Sequence, residues 1–405
     1  MKIAMFKGKI VLDKLDLNVP TDKSTGDITD TQKIEEAVKS IAWCLDNGAH
    51  AVLVLSHQGR KKEESLRKHA DVLKRYFSNV LFTKRDGNEV VEAVAGAPSG
   101  SVIVLENMRS DDEEKDYDDV QLTKLYQTVK SIEDHTKKQV VFVKDDFAVC
   151  HRKDLSIYGL PMQLRNEGYA IMAGPIMRNE IENTKTVGGK IKNDNVICIW
   201  GGKKFEDYMH LFQKFLETYP NSIVLTSGPL SILMQKAMGR DVGGNADFFG
   251  ITEDLIVRAT PIVKKFKGRV LTPVDYYATN ADGKHVTESR AINGIIVDIG
   301  PKTIELYTNI IKENPESVII GNGPLGQYEV EENRKGTKEV YSEVFRKENN
   351  NFVIGGGGDF NAVMNILQLK PHVSSTGGKA FIECIVNGNM PGLEPCGIVE
   401  VLSDR

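Results

Sequence analysis

Cysteine is scarce and scattered in this chain of 405 residues. The five cysteines, Cys44, Cys150, Cys198, Cys384 and Cys396, are odd in number, far apart and never spaced as CxxC. That pattern argues against a disulfide framework and a zinc site, and fits a reducing cytoplasm. No apolar run approaches the ~20 residues needed to span a bilayer, and Lys2, Lys7 and Lys9 interrupt the N-terminal stretch. A protein that neither crosses nor binds a membrane is therefore expected. Excess charge is lacking too: the formal net charge is −4, which gives no reason to expect nucleic acid spread over the surface, so any anion site must be local. Two fingerprints are absent. There is no GxxxxGK[ST], and no GxGxxG at the first βα turn, so neither a P-loop enzyme nor an ordinary dehydrogenase is supported.

What is present points to an α/β protein in two parts. A chain of this length predicts two domains at the usual ~100–200 residues each. Short apolar runs such as AHAVLVLS (49–56), SVIVLEN (101–107) and QVVFVK (139–144) alternate with helical stretches such as EEAVKSIAWCLDNG (35–48) and QLTKLYQTVKSIEDH (121–135). The alternation predicts a parallel sheet covered on both faces. It begins again with NVICIW (195–200), a helix from Phe205 to Tyr219, SIVLTSG (222–228), a helix from Leu230 to Met238, then RVLTP (269–273), GIIVDIG (294–300), SVIIGNG (317–323) and NFVIGGGG (351–358). Two tandem doubly wound parallel-sheet units, Rossmann-like in architecture, are the simplest reading. The first spans 1–174, a hinge helix and linker spans 175–194, and the second spans 195–385.

In open α/β sheets ligands bind outside the carboxyl ends of the strands. In the first half those ends carry charge: Asp16 and Asn18 in LDLNVP, His57 and Arg60 in VLSHQGR, Arg109 in VLENMR, and His151 and Arg152 in VKDDFAVCHR. Arginine forks grip phosphate and carboxylate with two parallel bonds, so such a cluster suits a small substrate carrying both groups. The plainer alternative pairs each arginine with a neighbouring carboxylate. In the second half the strand ends carry glycine instead, in WGGKKFEDY, IGNGPLG, VIGGGGDF and SSTGGKA. Glycines there let main-chain N–H groups and helix N-termini approach phosphates, which makes a nucleotide site. Lys204 can reach a phosphate, and Asp359 can hold Mg²⁺.

These strings, in this order from about Leu15 to about Gly392, closely resemble the phosphoglycerate kinase family, with an archaeal flavour in SHQGR and LTSGPLSILMQKAMGRDVG. The resemblance implies phosphoryl transfer between 1,3-bisphosphoglycerate with ADP and 3-phosphoglycerate with ATP, aided by Mg²⁺, in a monomer that closes about a hinge. It implies that the tail, 386–405, packs back on the N-terminal domain. Carried over position by position, Asp16, Asn18, Lys33, His57, Gln58, Gly59, Arg60, Arg109 and Arg152 bind the phosphoglycerate, with Lys33, Lys204 and Arg152 catalytic. Gly201, Gly202, Lys204, Asn322, Pro324, Glu329, Gly357, Gly358, Asp359 and Phe360 hold the nucleotide, and Asp359 meets the metal through it. The chain departs from the family's pattern in several places. Lys33 stands where the family has an arginine on the transferring group, TSGP (226–229) has lost glycine, Phe360 replaces a small hydroxyl residue, Lys379 replaces the last glycine of STGGG, and Tyr208 stands where many members have lysine. Lys203 and Lys379 add charge near the phosphates. A protein that keeps the ligand sites with weakened or lost catalysis is the alternative function these departures allow.

Overall fold

A computed structural model describes residues 5–22, 24–59, 61–192, 194–201, 209–375 and 377–402. Arg60, Gly202, Lys203, Lys204 and Tyr208, singled out above, and the start of the helix expected from Phe205, lie outside the described residues.

The first unit holds the strands β1 (Ile10–Leu15), β2 (Ala51–Leu55), β3 (Val80–Thr83), β4 (Ser101–Leu105), β5 (Val140–Asp145) and β6 (Ile171–Ala173), paired in parallel in the order β3-β4-β2-β1-β5-β6. The central strands read as unbroken apolar runs because helices cover both faces. Successive residues point to opposite sides: Val11, Val52, Val102 and Val141 join one core, while Leu12, Leu53, Ile103 and Phe142 join the other. The edge strand β6 is only partly buried.

The second unit repeats the plan with β7 (Val196–Trp200), β8 (Ser222–Thr226), β9 (Val270–Leu271), β13 (Val318–Asn322), β14 (Phe352–Gly356) and β15 (Val373–Ser375), in the order β15-β14-β13-β7-β8-β9. It departs from the sequence reading at GIIVDIG. That run forms β12 (Ile295–Ile299), which pairs antiparallel with β10 (Asp275–Asn280) in a separate three-stranded sheet completed by β11 (Gly283–Glu288). The reason is a tight hairpin between Asn280 and Gly283, whose left-handed backbone at Gly283 (φ 106°) turns the chain straight back.

Residues up to Glu182 and from Asn387 onward form one compact unit, and Asn183–Val386 the other. The helix Pro175–Ile191 carries the chain from the first to the second. Within the first unit the C-terminal segment is tied down by Gly392 N–H to the Cys150 carbonyl (2.8 Å) and by Arg165 to the Glu394 carbonyl (2.6 Å). Among the described residues no helix is long and apolar enough to cross a membrane.

Both sheets reverse their winding direction once. In the first unit the reversal lies between β1 and β5, in the second between β7 and β13. These are the positions where an open α/β sheet leaves a crevice for ligand.

Candidate functional site

At the carboxyl end of β1, Asp16 accepts an ion-pair hydrogen bond from Lys33 Nζ (2.6 Å), which reaches it from the first turn of the helix Gln32–Asp46. Burial alone would raise the Asp16 pKa. The charge and hydrogen bond of Lys33, with the Asn18 N–H, overcome it and hold the carboxyl far below the ordinary range. Asn18 in turn accepts from Gly59 N–H (2.9 Å), which ties the β1 loop to the β2 loop. The backbone favours glycine here. Its φ is +58°, and a β-carbon would sit 1.8 Å from the Glu64 carboxylate.

His57 is buried beside these groups, and desolvation pushes its pKa well below the usual value; Asp16 opposes this, while Lys14, Arg109 and Arg152 add to it. The ring is therefore neutral at pH 7 and offers one donor and one acceptor. Arg109 donates to the Gly59 carbonyl. Its pKa is lowered, first by burial and then by the nearby positive charge of Arg152. Arg152 lies 3.9 Å from Asp154 and 3.4 Å from the His151 ring. The structure thus brings Asp16, Asn18, Lys33, His57, Gly59, Arg109 and Arg152 to one sheet end. Two like-charged guanidiniums held close together favour an anion between them.

Gln58 plays a different part. Its amide accepts from Val19 N–H (3.1 Å) and His69 (3.1 Å) and donates to the Val19 carbonyl (2.9 Å), so it braces the β1 loop. Sequence reading passed over Asn107, Lys14 and Glu114. Asn107 donates to the Gln58 and Glu64 carbonyls and accepts from the N–H groups of Gln58 and Arg109. Lys14 is buried within β1. Glu114 is pushed up to about 7 by burial, against the pull of Lys14 and the Ser156 hydroxyl. Asn107 stood inside a motif already singled out; the other two carried no sequence signal.

In the second unit the backbone crowds where the first has side chains. Gly201 N–H donates to the Asn322 carbonyl (3.0 Å), and a β-carbon on Gly201 would meet the Pro324 carbonyl oxygen at 2.0 Å and Ser227 Oγ at 2.6 Å. Ser227, in the turn that lost glycine, is buried against Pro324 and opens the helix Gly228–Ala237. The β14 turn follows: Gly357 takes φ +94°, and the helix Gly358–Ile366 starts with no side-chain cap. Its first N–H groups have no partner within the helix and suit phosphate oxygens. Asp359 is exposed in that first turn. Tyr328 stands beside it: burial raises the phenol pKa, and the carboxylates of Asp359 and Glu329 raise it further, which places those two residues near one another. Phe360 points the other way. Its ring is fully buried, where β-carbons on Gly355 and Gly321 would meet it at 1.9 and 2.2 Å, so only its backbone remains for a ligand. Lys379 opens the helix Lys379–Asn387 and lowers the pKa of Glu383, which burial raises.

The metal fits this donor set. A single exposed carboxylate next to open glycine backbone suits Mg²⁺, which keeps several waters and shares phosphate oxygens with one or two carboxylates.

The chain matches the phosphoglycerate kinase family over residues 1–388. The phosphoglycerate kinase of Lactobacillus johnsonii is 30% identical over 407 residues, with 96% of each chain covered. That of Methanococcus maripaludis is 30% identical over 410 residues, covering 96% of this chain and 95% of the relative. The crystal structure of phosphoglycerate kinase from Pyrococcus horikoshii superposes with a TM-score of 0.80 at 26% identity, covering 97% of both chains. Matched in fold and over almost its whole length, this chain belongs to the phosphoglycerate kinase family, enzymes that transfer a phosphoryl group to and from a carboxyl group.

Proposed function

We propose that the chain catalyses reversible phosphoryl transfer between 1,3-bisphosphoglycerate with ADP and 3-phosphoglycerate with ATP, as a cytoplasmic monomer in glycolysis or gluconeogenesis. The observation that carries this reading is the convergence of Asp16, Lys33, His57, Arg109 and Arg152 at one sheet end, with their charges acting on one another. An acceptor carrying a phosphate and a carboxylate answers that excess of positive charge.

In the ADP-consuming direction, a β-phosphate oxygen of ADP attacks the phosphorus of the acyl phosphate. The bond from phosphorus to the carboxyl oxygen breaks, and that oxygen leaves as carboxylate. No covalent enzyme intermediate is needed, so the protein's task is positioning and neutralisation of charge. Arg109 and Arg152 grip the phosphoglycerate, Asn18 and Gly59 fix the loop beneath it, and neutral His57 supplies a hydrogen bond. Lys33 brings positive charge to the transferring group while Asp16 orients it. Gly201, Pro324, Gly357 and Gly358 shape the nucleotide's cradle, with Asn322 beneath it and Glu329 toward the ribose; the family resemblance alone assigns Gly202 and Lys204, outside the described residues, to the phosphates. Mg²⁺, when bound with the nucleotide near Asp359, neutralises phosphate charge. Because the two ligands fall on different units, a closing step precedes transfer.

Steady-state assay of the purified protein tests this. The expected result is ADP formation from Mg-ATP that depends on 3-phosphoglycerate. Binding of both ligands without turnover, or turnover only with another phosphorylated acid, overturns it.

A further inference from the structure

Trp200, the last residue of β7, is one of only two tryptophans in the chain. It is buried and packs on Phe212 and Phe215, with ring centroids 5.1 and 6.2 Å away. In the parallel register Trp200 lies opposite Asn322 on β13, and Gly321 lies opposite Gly355 on β14. Set in the orientation that satisfies both neighbours, the Asn322 amide accepts from the Trp200 indole N–H through its oxygen and donates to the Gly356 carbonyl (3.3 Å) through its nitrogen. One side chain thereby joins the carboxyl ends of three neighbouring strands.

We propose that Trp200 is a positioning residue of the nucleotide site: through Asn322 it fixes the Gly356–Gly357 peptide and so aims the glycine turn at the phosphates. The inference rests on reading the second unit as the nucleotide site. Gly356 C=O and Gly357 N–H belong to one planar peptide, so holding the carbonyl sets the direction of the N–H. That N–H reaches the Ser375 carbonyl at 3.4 Å, and the next residues open the uncapped helix Gly358–Ile366. Gly357 takes φ +94°, a region where glycine has no β-carbon to restrain it. A turn this free needs outside anchors, and that peptide has one at each end, Asn322 on its carbonyl and the Ser375 carbonyl on its N–H, so that its direction sets how the following helix N-terminus faces a phosphate. The ligand portion read by the network is the di- or triphosphate chain, not the base or sugar.

Calorimetric titration with ADP and with adenosine separates this role from general loosening of the domain. Trp200→Phe keeps a packed aromatic ring and removes the N–H donor. The expected result is ADP binding weakened about five- to tenfold, the loss of roughly one buried hydrogen bond, with adenosine binding unchanged. Asn322→Ala gives a loss of similar size. The double variant is no weaker than the weaker single, because both substitutions break one chain of bonds. In a Trp43→Phe background, Trp200 emission responds to ADP and not to adenosine. Unchanged ADP affinity in Trp200→Phe, parallel loss of ADP and adenosine, or additive single effects overturn the proposal. Should Trp200→Phe fail to fold, the Trp43→Phe protein decides: Trp200 emission that responds to ADP and not to adenosine supports the proposal, and any other outcome overturns it. Absence of ADP binding in the unaltered protein overturns the nucleotide reading itself.

Discussion

The two units share a six-stranded parallel sheet and differ in what they leave at its carboxyl edge. The first ends its strands in ionisable side chains, several of them buried: His57, Asp145, Asp146 and, one residue inside the strands, Lys14 and Lys144. Lys144 is fully buried and bonded to Asp146 and to the Ile157 carbonyl at 2.8 Å each. The second ends its strands in glycine, crowded at Gly201, where an added β-carbon would sit 2.0 Å from the Pro324 carbonyl oxygen, and open at Gly356, Gly357 and Gly358, where it would meet nothing nearer than 3.7 Å. An anion can be held by charge or by backbone. Charge requires ionised groups to be desolvated and mutually supported. Backbone requires main-chain N–H groups that no side chain covers.

The contrast predicts opposite responses to substitution. The largest effect belongs to Arg109→Ala and Arg152→Ala. Each removes a charge-assisted contact worth about 1.5–3 kcal/mol, so KM for 3-phosphoglycerate should rise roughly ten- to a hundredfold. Thermal stability and KM for the nucleotide should stay near the unaltered values, and unchanged acceptor KM in both variants would remove the proposed site. Next comes Gly201→Ala, where the methyl group forces the Pro324 carbonyl to move. A loss of about 1–3 kcal/mol in stability is expected by denaturant titration, together with weaker nucleotide binding. If stability and binding both survive, the close packing at that edge is not what shapes the cradle.

Asp13→Asn sharpens the comparison from within the first unit's core. Asp13 is fully buried, with one oxygen bonded to Ser40 (3.0 Å) and the other without a partner. Desolvation and the neighbouring Asp145 raise its pKa well above the ordinary value, and Asp145 itself is raised to about 6, chiefly by burial. Since folding raises the Asp13 pKa, the stability gained from its protonated form is fully present below the unfolded value near ~4 and is lost as pH rises through the folded value. Asparagine needs no proton. It should therefore stabilise the protein by about 1–2 kcal/mol at neutral pH, and the gain should shrink toward zero as pH falls to ~4. Melting curves across that range decide it, and a pH-independent gain would contradict the account. The smallest effect concerns Lys33. Lys33→Arg should raise kcat by less than ~1 kcal/mol in barrier with KM little changed, because a fork meets the transferring group better than a point charge. Lys33→Ala should lower kcat more than it alters KM. Unaltered rates in both variants would mean that Lys33 serves only Asp16.

Much of this contrast is legible in the sequence, for a physical reason. Strands buried on both faces read as continuous apolar runs, and the residues just beyond them gather at one edge of the sheet, so the cluster of Asp16, His57, Arg109 and Arg152 could be named from position alone. The hairpin β10–β11 was missed because its strands are polar and partly exposed, and it carried GIIVDIG out of the parallel series. Gln58 and Asn107 looked like site residues or spacers, yet their partners lie up to 49 positions away in sequence, and only the fold shows that they brace the loops. Phe360 stands two places after four glycines and reads as part of the turn; the space over Gly321 and Gly355 that takes its ring exists only once β13 and β14 pair. Lys14 and Lys144 sit opposite one another on adjacent strands, a pairing no local pattern announces.

The division of labour between the units is tested most directly by calorimetric titration of 3-phosphoglycerate and of ADP against two variants, Arg109→Ala and Gly201→Ala. The account predicts a crossed result: the first loses 3-phosphoglycerate and keeps ADP, while the second loses ADP and keeps 3-phosphoglycerate. Loss of ADP binding in Arg109→Ala with 3-phosphoglycerate binding intact, or the same pattern of loss in both variants, would contradict it.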